Sequence, residues 1–317
     1  MSNKEKYKEF CDQQVLPIYM NYWWLNAIVG ENNWNVALHY KGNEIFGVLP
    51  YVNKKKWMFK LINNPLLTQH LGPWLKYPPG QKYDSKLSFE KEAFQNLLAQ
   101  LPFAHYQLIK THYSINNWLP FYWKGYSCTP AYTYVIDNIR NNVDDLYENI
   151  SSNTRKNIKK AQKLVKVYES YDINDIYSLN KKTFDRQSKK VPYSFSLLQE
   201  LYSACKKSNC CKILVAKDEN NKVHASLFLV WNNRSAYYLV GGGDPALRNS
   251  EAMTLLMWEA IQFSSTVADV FDFEGSMIES IERFVRGFGA QQKLYYKLNK
   301  YSNGLLRLLV PVFYGDQ

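Results

Sequence analysis

Residues 237–261, YYLVGGGDPALRNSEAMTLLMWEAI, join a strand pattern ending in three glycines to a long run with amphipathic helical spacing over Ser250–Ser264. Two readings of this turn stand side by side. A helix N-terminus carries partial positive charge and free amide donors, and bare glycines let a phosphate approach the backbone. On that reading Gly242, Gly243, Arg248 and Ser250 are cofactor-binding candidates. On the other, Gly241–Gly243 form a β-bulge, and Asn249 or Ser250 simply caps the helix.

The flanking sequence gives the turn its setting. Upstream, VKVYES (165–170) predicts a strand, 172–184 and 196–207 predict helices, and CKILVAKDENNKVHASLFLVW (211–231) predicts a hairpin about the polar 218–221. Downstream, VFDF is a strand, 277–288 a helix and QQKLYYKL a last strand, so the order is βααβββαβαβ. The first half repeats much of it: a helix over 18–29, a hairpin over 34–52, a strand at 57–62, a helix over 89–101, the strand YQLIK, a short helical piece at 115–121 and the strand TPAYTYVI. The repeat is one of element order, not of matched letters. A polar break at 137–143 puts the domain boundary between 1–137 and 138–317.

In FDFEGSMIESIERFVRGFGA (271–290), Asp272 and Glu274 are two apart, so a strand would point both carboxylates to one face. Such a pair suits acid/base chemistry, and Glu274 is the candidate base. Ser276 to Glu279 also reads S-x-x-E, a capping box for a plain helix start. Between Arg155 and Lys166 lie six basic residues and no acid; Arg155 and Lys159 fall on one side at helical spacing and are candidates for meeting phosphates, against the alternative of a solvated face. Trp74, in the Pro- and Gly-rich loop LGPWLKYPPG, and Tyr51 are candidates for lining a substrate groove.

Composition bounds the rest. The 317 residues are 46% hydrophobic, and a formal charge of +11 points to an anionic partner. Five cysteines without a C-x-x-C pair fit a reduced cytoplasmic setting. The polar start MSNKEKYKEF is not a signal peptide, and the apolar stretch 305–314 is too short to span a bilayer, so no transmembrane segment is expected. The five histidines are scattered without metal-site spacing.

The element order resembles the GNAT acyltransferase fold, and a tandem pair of such units is similar to the Fem-type, methicillin-resistance-related aminoacyl transferases of peptidoglycan synthesis. SSNTRKNIKKA (151–161), the strand, glycine turn and helix of 237–261, and FDFEGSMIESIERFVRGFGAQQKLYY (271–296) carry the resemblance, which spans most of 137–298. It implies an α/β (α+β) fold of two tandem GNAT-like units, with mixed, mostly antiparallel sheets flanked by helices. It also implies transfer of an aminoacyl or acyl group to an amine, with no permanently bound cofactor, aminoacyl-tRNA or acyl-CoA as donor, and a phosphate-bearing small-molecule substrate or tRNA as partner.

Two departures matter. The family's F-K-x-x-F-G helix reads Phe284-Val285-Arg286-Gly287-Phe288-Gly289, so a valine stands where a lysine stabilises the transferring acyl group, and Arg283 or Arg286 is the candidate replacement, against the alternative of a solvated helix surface. The phosphate pattern Q/R-x-x-G-x-A reads Leu247 to Ala252 and keeps only the alanine. Tyr295 or Tyr296 is the candidate proton donor. A catalytically degenerate binding module and a tRNA or nucleic-acid binder without catalysis remain the alternatives.

Overall fold

The computed structural model describes residues 1–275, 277–304 and 306. The chain divides into two compact units: residues 1–131 with the stretch from 294 on, and residues 132–293.

The first unit opens with α1 (Asn3–Gln13) and α2 (Tyr22–Val29). The hairpin of β1 (Trp34–Lys41) and β2 (Glu44–Lys56) follows, then β3 (Phe59–Ile62) and the short β4 (Trp74–Leu75). Helix α3 (Tyr83–Ala99), β5 (Tyr106–Lys110) and α4 (Leu119–Tyr122) complete this part of the chain. The charged N-terminus conceals α1. Ser2 and Glu5 form a reciprocal capping box, and the helix buries Tyr7, Phe10 and Cys11 against Trp34 and Val36. The predicted helix over 18–29 is split: a 3-10 turn at Ile18–Met20 precedes α2, whose N-cap is Asn21.

Strand β6 (Ser127–Asp137) runs across the boundary into the second unit. There follow α5 (Val143–Asn149), α6 (Ser152–Ala161), β7 (Lys166–Ser170), α7 (Asn174–Arg186) and α8 (Phe195–Lys207). The hairpin β8 (Cys211–Lys217) and β9 (Val223–Trp231) leads to β10 (Ser235–Gly243), α9 (Ala252–Ser264), β11 (Val270–Asp272), α10 (Glu279–Arg286) and β12 (Gln291–Tyr301).

Each unit has a mixed, mostly antiparallel sheet with one parallel pair, and in each a helix connects the two parallel strands. In the first unit the order is β1-β2-β3-β5-β12, and α3 connects the parallel β3 and β5. In the second it is β6-β11-β10-β9-β8-β7, and α9 connects the parallel β10 and β11. The two-unit reading of the sequence holds, while the assignment of two strands differs. Strand β12 pairs with β5 through Lys297–Tyr301, and β6 pairs with β11 through Val135–Asp137. The units therefore part at 131/132 and 293/294, where the sequence places a single cut at 137/138. Ladder hydrogen bonds between strands far apart in the chain decide this, and a polar break in the sequence does not report them.

Helix α9 is buried on nearly every side, not amphipathic: Leu255, Leu256, Met257, Trp258, Ala260 and Ile261 are all core. The glycines of β10 serve packing. A Cβ on Gly242 would overlap the backbone of Leu179 and Asn180, so α7 lies directly on the strand. The bulge falls earlier than Gly241–Gly243, between Tyr238 and Val240. Gly242→Ala is expected to cost roughly 2 kcal/mol or more through overpacking, read as a lower urea midpoint in equilibrium unfolding.

Candidate active site

The parallel ladder of β10 and β11 is short: Ser235, Ala236 and Tyr237 pair with Val270, Phe271 and Asp272, and there β11 stops while β10 runs on to Gly243. Ligands of open α/β sheets bind beyond the carboxyl ends of parallel strands where such strands part. Here the chain leaving β11 turns sharply, with Glu274 and Gly275 both left-handed at φ 58° and 64°. A Cβ on Gly275 would overlap Tyr132 and Thr133 of β6. Glu274 therefore lies beyond the strand, and the same-face alternation expected of Asp272 and Glu274 does not place it.

Two acids nonetheless meet at this turn. Asp272 is 2% exposed; its Oδ1 accepts from Thr133 Oγ1 at 2.5 Å and from the Glu274 amide at 2.8 Å. Burial raises its pKa to about 6, and those two hydrogen bonds act in the opposite direction. The Glu274 carboxyl is also buried, and loss of solvation holds its pKa well above the usual carboxylate range. Such a carboxyl holds its proton more tightly than an exposed glutamate and becomes a competent base once the proton leaves. The sequence pointed to Glu274, but not to Asp272 as the group that fixes the turn. The S-x-x-E signal at Ser276 lies outside the described residues; α10 starts at Glu279 with Ile278 at its N-cap and no side-chain cap.

At the glycine turn the backbone and Ser250 have protein partners. Asn180 Nδ2 donates to Gly241 O at 2.8 Å, and its Oδ1 accepts from Tyr193 OH at 2.7 Å. Gly243 N donates to Thr183 Oγ1 at 3.2 Å. Between β10 and α9 runs a 3-10 turn, Pro245–Ser250, whose N-cap Asp244 accepts from the Ala246 amide and pairs with Lys182. Ser250 is buried and donates to Leu247 O. The residue at the N-cap of α9 is instead Glu251, left-handed at φ 58°, which corrects the expectation of Asn249 or Ser250. Arg248 is exposed on the turn.

The basic run forms α6, capped by Ser151, with Ile158 and Ala161 buried in the core that includes α9. Arg155 has a structural partner: its Nη1 donates to Glu148 O at 2.8 Å and Tyr147 O at 3.5 Å, so it satisfies carbonyls at the end of α5. Lys156, Lys159, Lys160, Lys163 and Lys166 stay exposed. On α10, Val285 is 1% exposed within the core of Phe273 and Phe288, while Arg286 is exposed and pairs with Glu282 at 3.2 Å.

The structure does not bring all the candidates into one unit. Tyr51, Trp74 and Tyr295 belong to the first unit; Arg155, Lys159, Gly242, Gly243, Arg248, Ser250, Glu274 and Arg286 belong to the second. Trp74 packs edge-on against Phe10 at 5.7 Å beside the core under α1, and Tyr51 is buried with Ile62 and Ala104. His70 and His112, distant in sequence, have ring centroids 4.8 Å apart. Among the described residues no group of three or more His, Cys, Asp or Glu is placed to hold a metal ion.

Residues 149–275 match the model of the acetyltransferase (GNAT) domain family, a stretch that ends at the Glu274–Gly275 turn. Across its whole length the chain has the fold of FemX: 13% identity, 97% of this chain and 98% of that one covered, TM-score 0.68. It is also similar to L-PGS from Bacillus licheniformis (11% identity, 97% and 95% covered, TM-score 0.56). A tandem GNAT protein from the clavulanic acid biosynthesis pathway shares the fold at 8% identity, 86% and 84% covered, and TM-score 0.50. No curated protein sequence matches the chain. The chain thus has the fold of FemX, and its residues 149–275 are similar to the acetyltransferase (GNAT) domain family.

The two buried acids carry a stability signature. Because their folded pKa values lie above the unfolded ones, the folded state holds these protons more tightly. Their stabilising effect is complete below about pH 4 and is lost as pH rises, through about 6 for Asp272 and above the ordinary glutamate range for Glu274. At about 1.4 kcal/mol per pKa unit, roughly 3 kcal/mol is at stake for Asp272. Urea unfolding from pH 4 to 8 should show Glu274→Gln gaining stability on the parent protein as pH rises. Arg155→Ala should cost about 1 kcal/mol through lost carbonyl partners, whereas Lys159→Ala should leave the melting temperature unchanged.

Proposed function

We propose that the protein transfers an aminoacyl or acyl group from an activated ester or thioester to an amine, using the turn at the carboxyl end of β11. The observation that carries this reading is the buried Glu274 carboxyl, fixed through its own amide by Asp272 where β10 and β11 part. The amine nitrogen attacks the donor carbonyl, the bond to sulfur or oxygen breaks, and ionised Glu274 accepts the proton that the amine sheds. Asp272 is a positioning residue. Nothing in the geometry supports Arg286 as a substitute for the missing lysine, since it faces solvent and Glu282, nor Tyr295 as proton donor.

The donor follows from the glycine turn. The Gly241 carbonyl and the Gly243 amide already have partners in Asn180 and Thr183, and Glu251 sets a carboxylate at the start of α9. These features disfavour a coenzyme A arm along β10 and its pyrophosphate on α9, so we favour aminoacyl-tRNA. The exposed lysines of α6 suit its phosphates or those of a nucleotide-linked cell-wall precursor as acceptor. Five free thiols and the absence, among the described residues, of a helix long and apolar enough to cross a membrane support a cytoplasmic site of action.

The test is a transfer assay with labelled aminoacyl-tRNAs and amine acceptors, run beside acetyl-CoA. Turnover should rise with pH above the ordinary glutamate range, and Glu274→Gln should lose ~10²-fold or more while staying folded. Equal turnover in Glu274→Gln removes the base; transfer from acetyl-CoA in preference to aminoacyl-tRNA overturns the donor.

A further inference from the structure

In the first unit, β5 and β12 run antiparallel with Lys110 directly opposite Lys297. Facing like charges destabilise a sheet, and neighbours of opposite charge normally relieve them. None does here. Residues 53–83, 102–136 and 283–315 contain no Asp or Glu, and among the described residues neither lysine forms an ion pair with a carboxylate. The register puts Tyr106, Leu108 and Lys110 of β5 on one face with Tyr301, Asn299 and Lys297 of β12. Among the described residues the titratable groups that the register places on that face are Lys297, Tyr106 and Tyr301, with Lys54 of β2 beyond Leu61. Tyr106 donates to Asn299 Oδ1 at 2.7 Å, and the Lys110 amide donates to Asn64 Oδ1 at 3.3 Å. Neither bond offers the ammonium a counter-charge.

We propose that Lys110 is a nucleophilic amine, acylated on Nζ by activated esters or thioesters. A lysine half out of water beside a second cation favours its neutral form, and the neutral amine is the nucleophile. Burial first and Lys297 second bring its pKa down to about 8. In the reaction the Nζ lone pair attacks the acyl carbon, a C–N bond forms, and the bond to sulfur or oxygen breaks. The proton shed by nitrogen leaves with the thiol or alcohol. The amide product is uncharged, so acylation removes one of two facing cations and relieves the repulsion that promoted it. The natural donor rests on the reading given above; the reactivity of the amine does not.

Acetic anhydride at low stoichiometry, from pH 6 to 10, followed by peptide mass spectrometry of the folded full chain, tests the amine without any natural donor. Lys110 should label with a midpoint near pH 8 and, at pH 7.5, roughly tenfold faster than exposed Lys156, as expected of an amine with so large a neutral fraction. Lys297→Met should move the midpoint upward and slow labelling of Lys110 several-fold, whereas Lys297→Arg, which keeps the charge, should preserve both. The Arg variant keeps the test valid should the Met variant fail to fold. Labelling of Lys110 no faster than Lys156 overturns the proposal. So does an ordinary labelling rate together with protection by millimolar inorganic phosphate, which would make the lysine pair an anion seat.

Discussion

Helix α7 lies against β10 without a side chain between them, and much of the second unit depends on that contact. Gly242 must lack a Cβ for Leu179 and Asn180 to approach, and the approach lets Asn180 and Thr183 bond to the backbone at Gly241 and Gly243. β10 thus keeps its polar groups satisfied after β11 has ended. Without such partners the parting of the two strands would leave backbone groups unpaired in a buried place, at a cost comparable to a lost hydrogen bond for each. The parting in turn frees the chain after Asp272 to turn left-handed and bury the Glu274 carboxyl.

The same contact changes what the glycines mean. Three glycines before a helix resemble a phosphate cradle in sequence, because both uses need backbone without side chains. Against α7 they are packing residues, and the helix that follows opens on a carboxylate. The turn keeps a buried acid where two strands part, while the Gly241 carbonyl and the Gly243 amide are bonded from within the protein. The α10 helix tells a similar story: Val285 is core, and a lysine there would have to be buried among Phe273 and Phe288.

Local patterns are legible where one element makes its own case. The hairpin 211–231, helices α7 and α8 and strand β10 follow from periodicity and turn residues. Helix α1 is hidden in the sequence because its capping residues and charges look like a plain polar terminus, and α9 has amphipathic spacing although its few polar residues, such as Thr254 and Ser264, are themselves buried. At the candidate site Glu274 was legible as an acid near a turn. Asp272 as its anchor was not, since that role depends on Thr133 from β6, 139 residues away.

The sequence by itself determined the order of elements, their repetition in two halves, the acidic turn and the basic helix, because these rest on spacing within a few residues. Only the tertiary structure decided that β12 pairs with β5, that β6 pairs with β11, that Arg155 satisfies carbonyls of α5 and that Lys110 faces Lys297. Each of those is a contact between residues whose types fit several partners equally well. The choice among partners belongs to the packing of the whole unit, where burial and hydrogen-bond satisfaction must be met together.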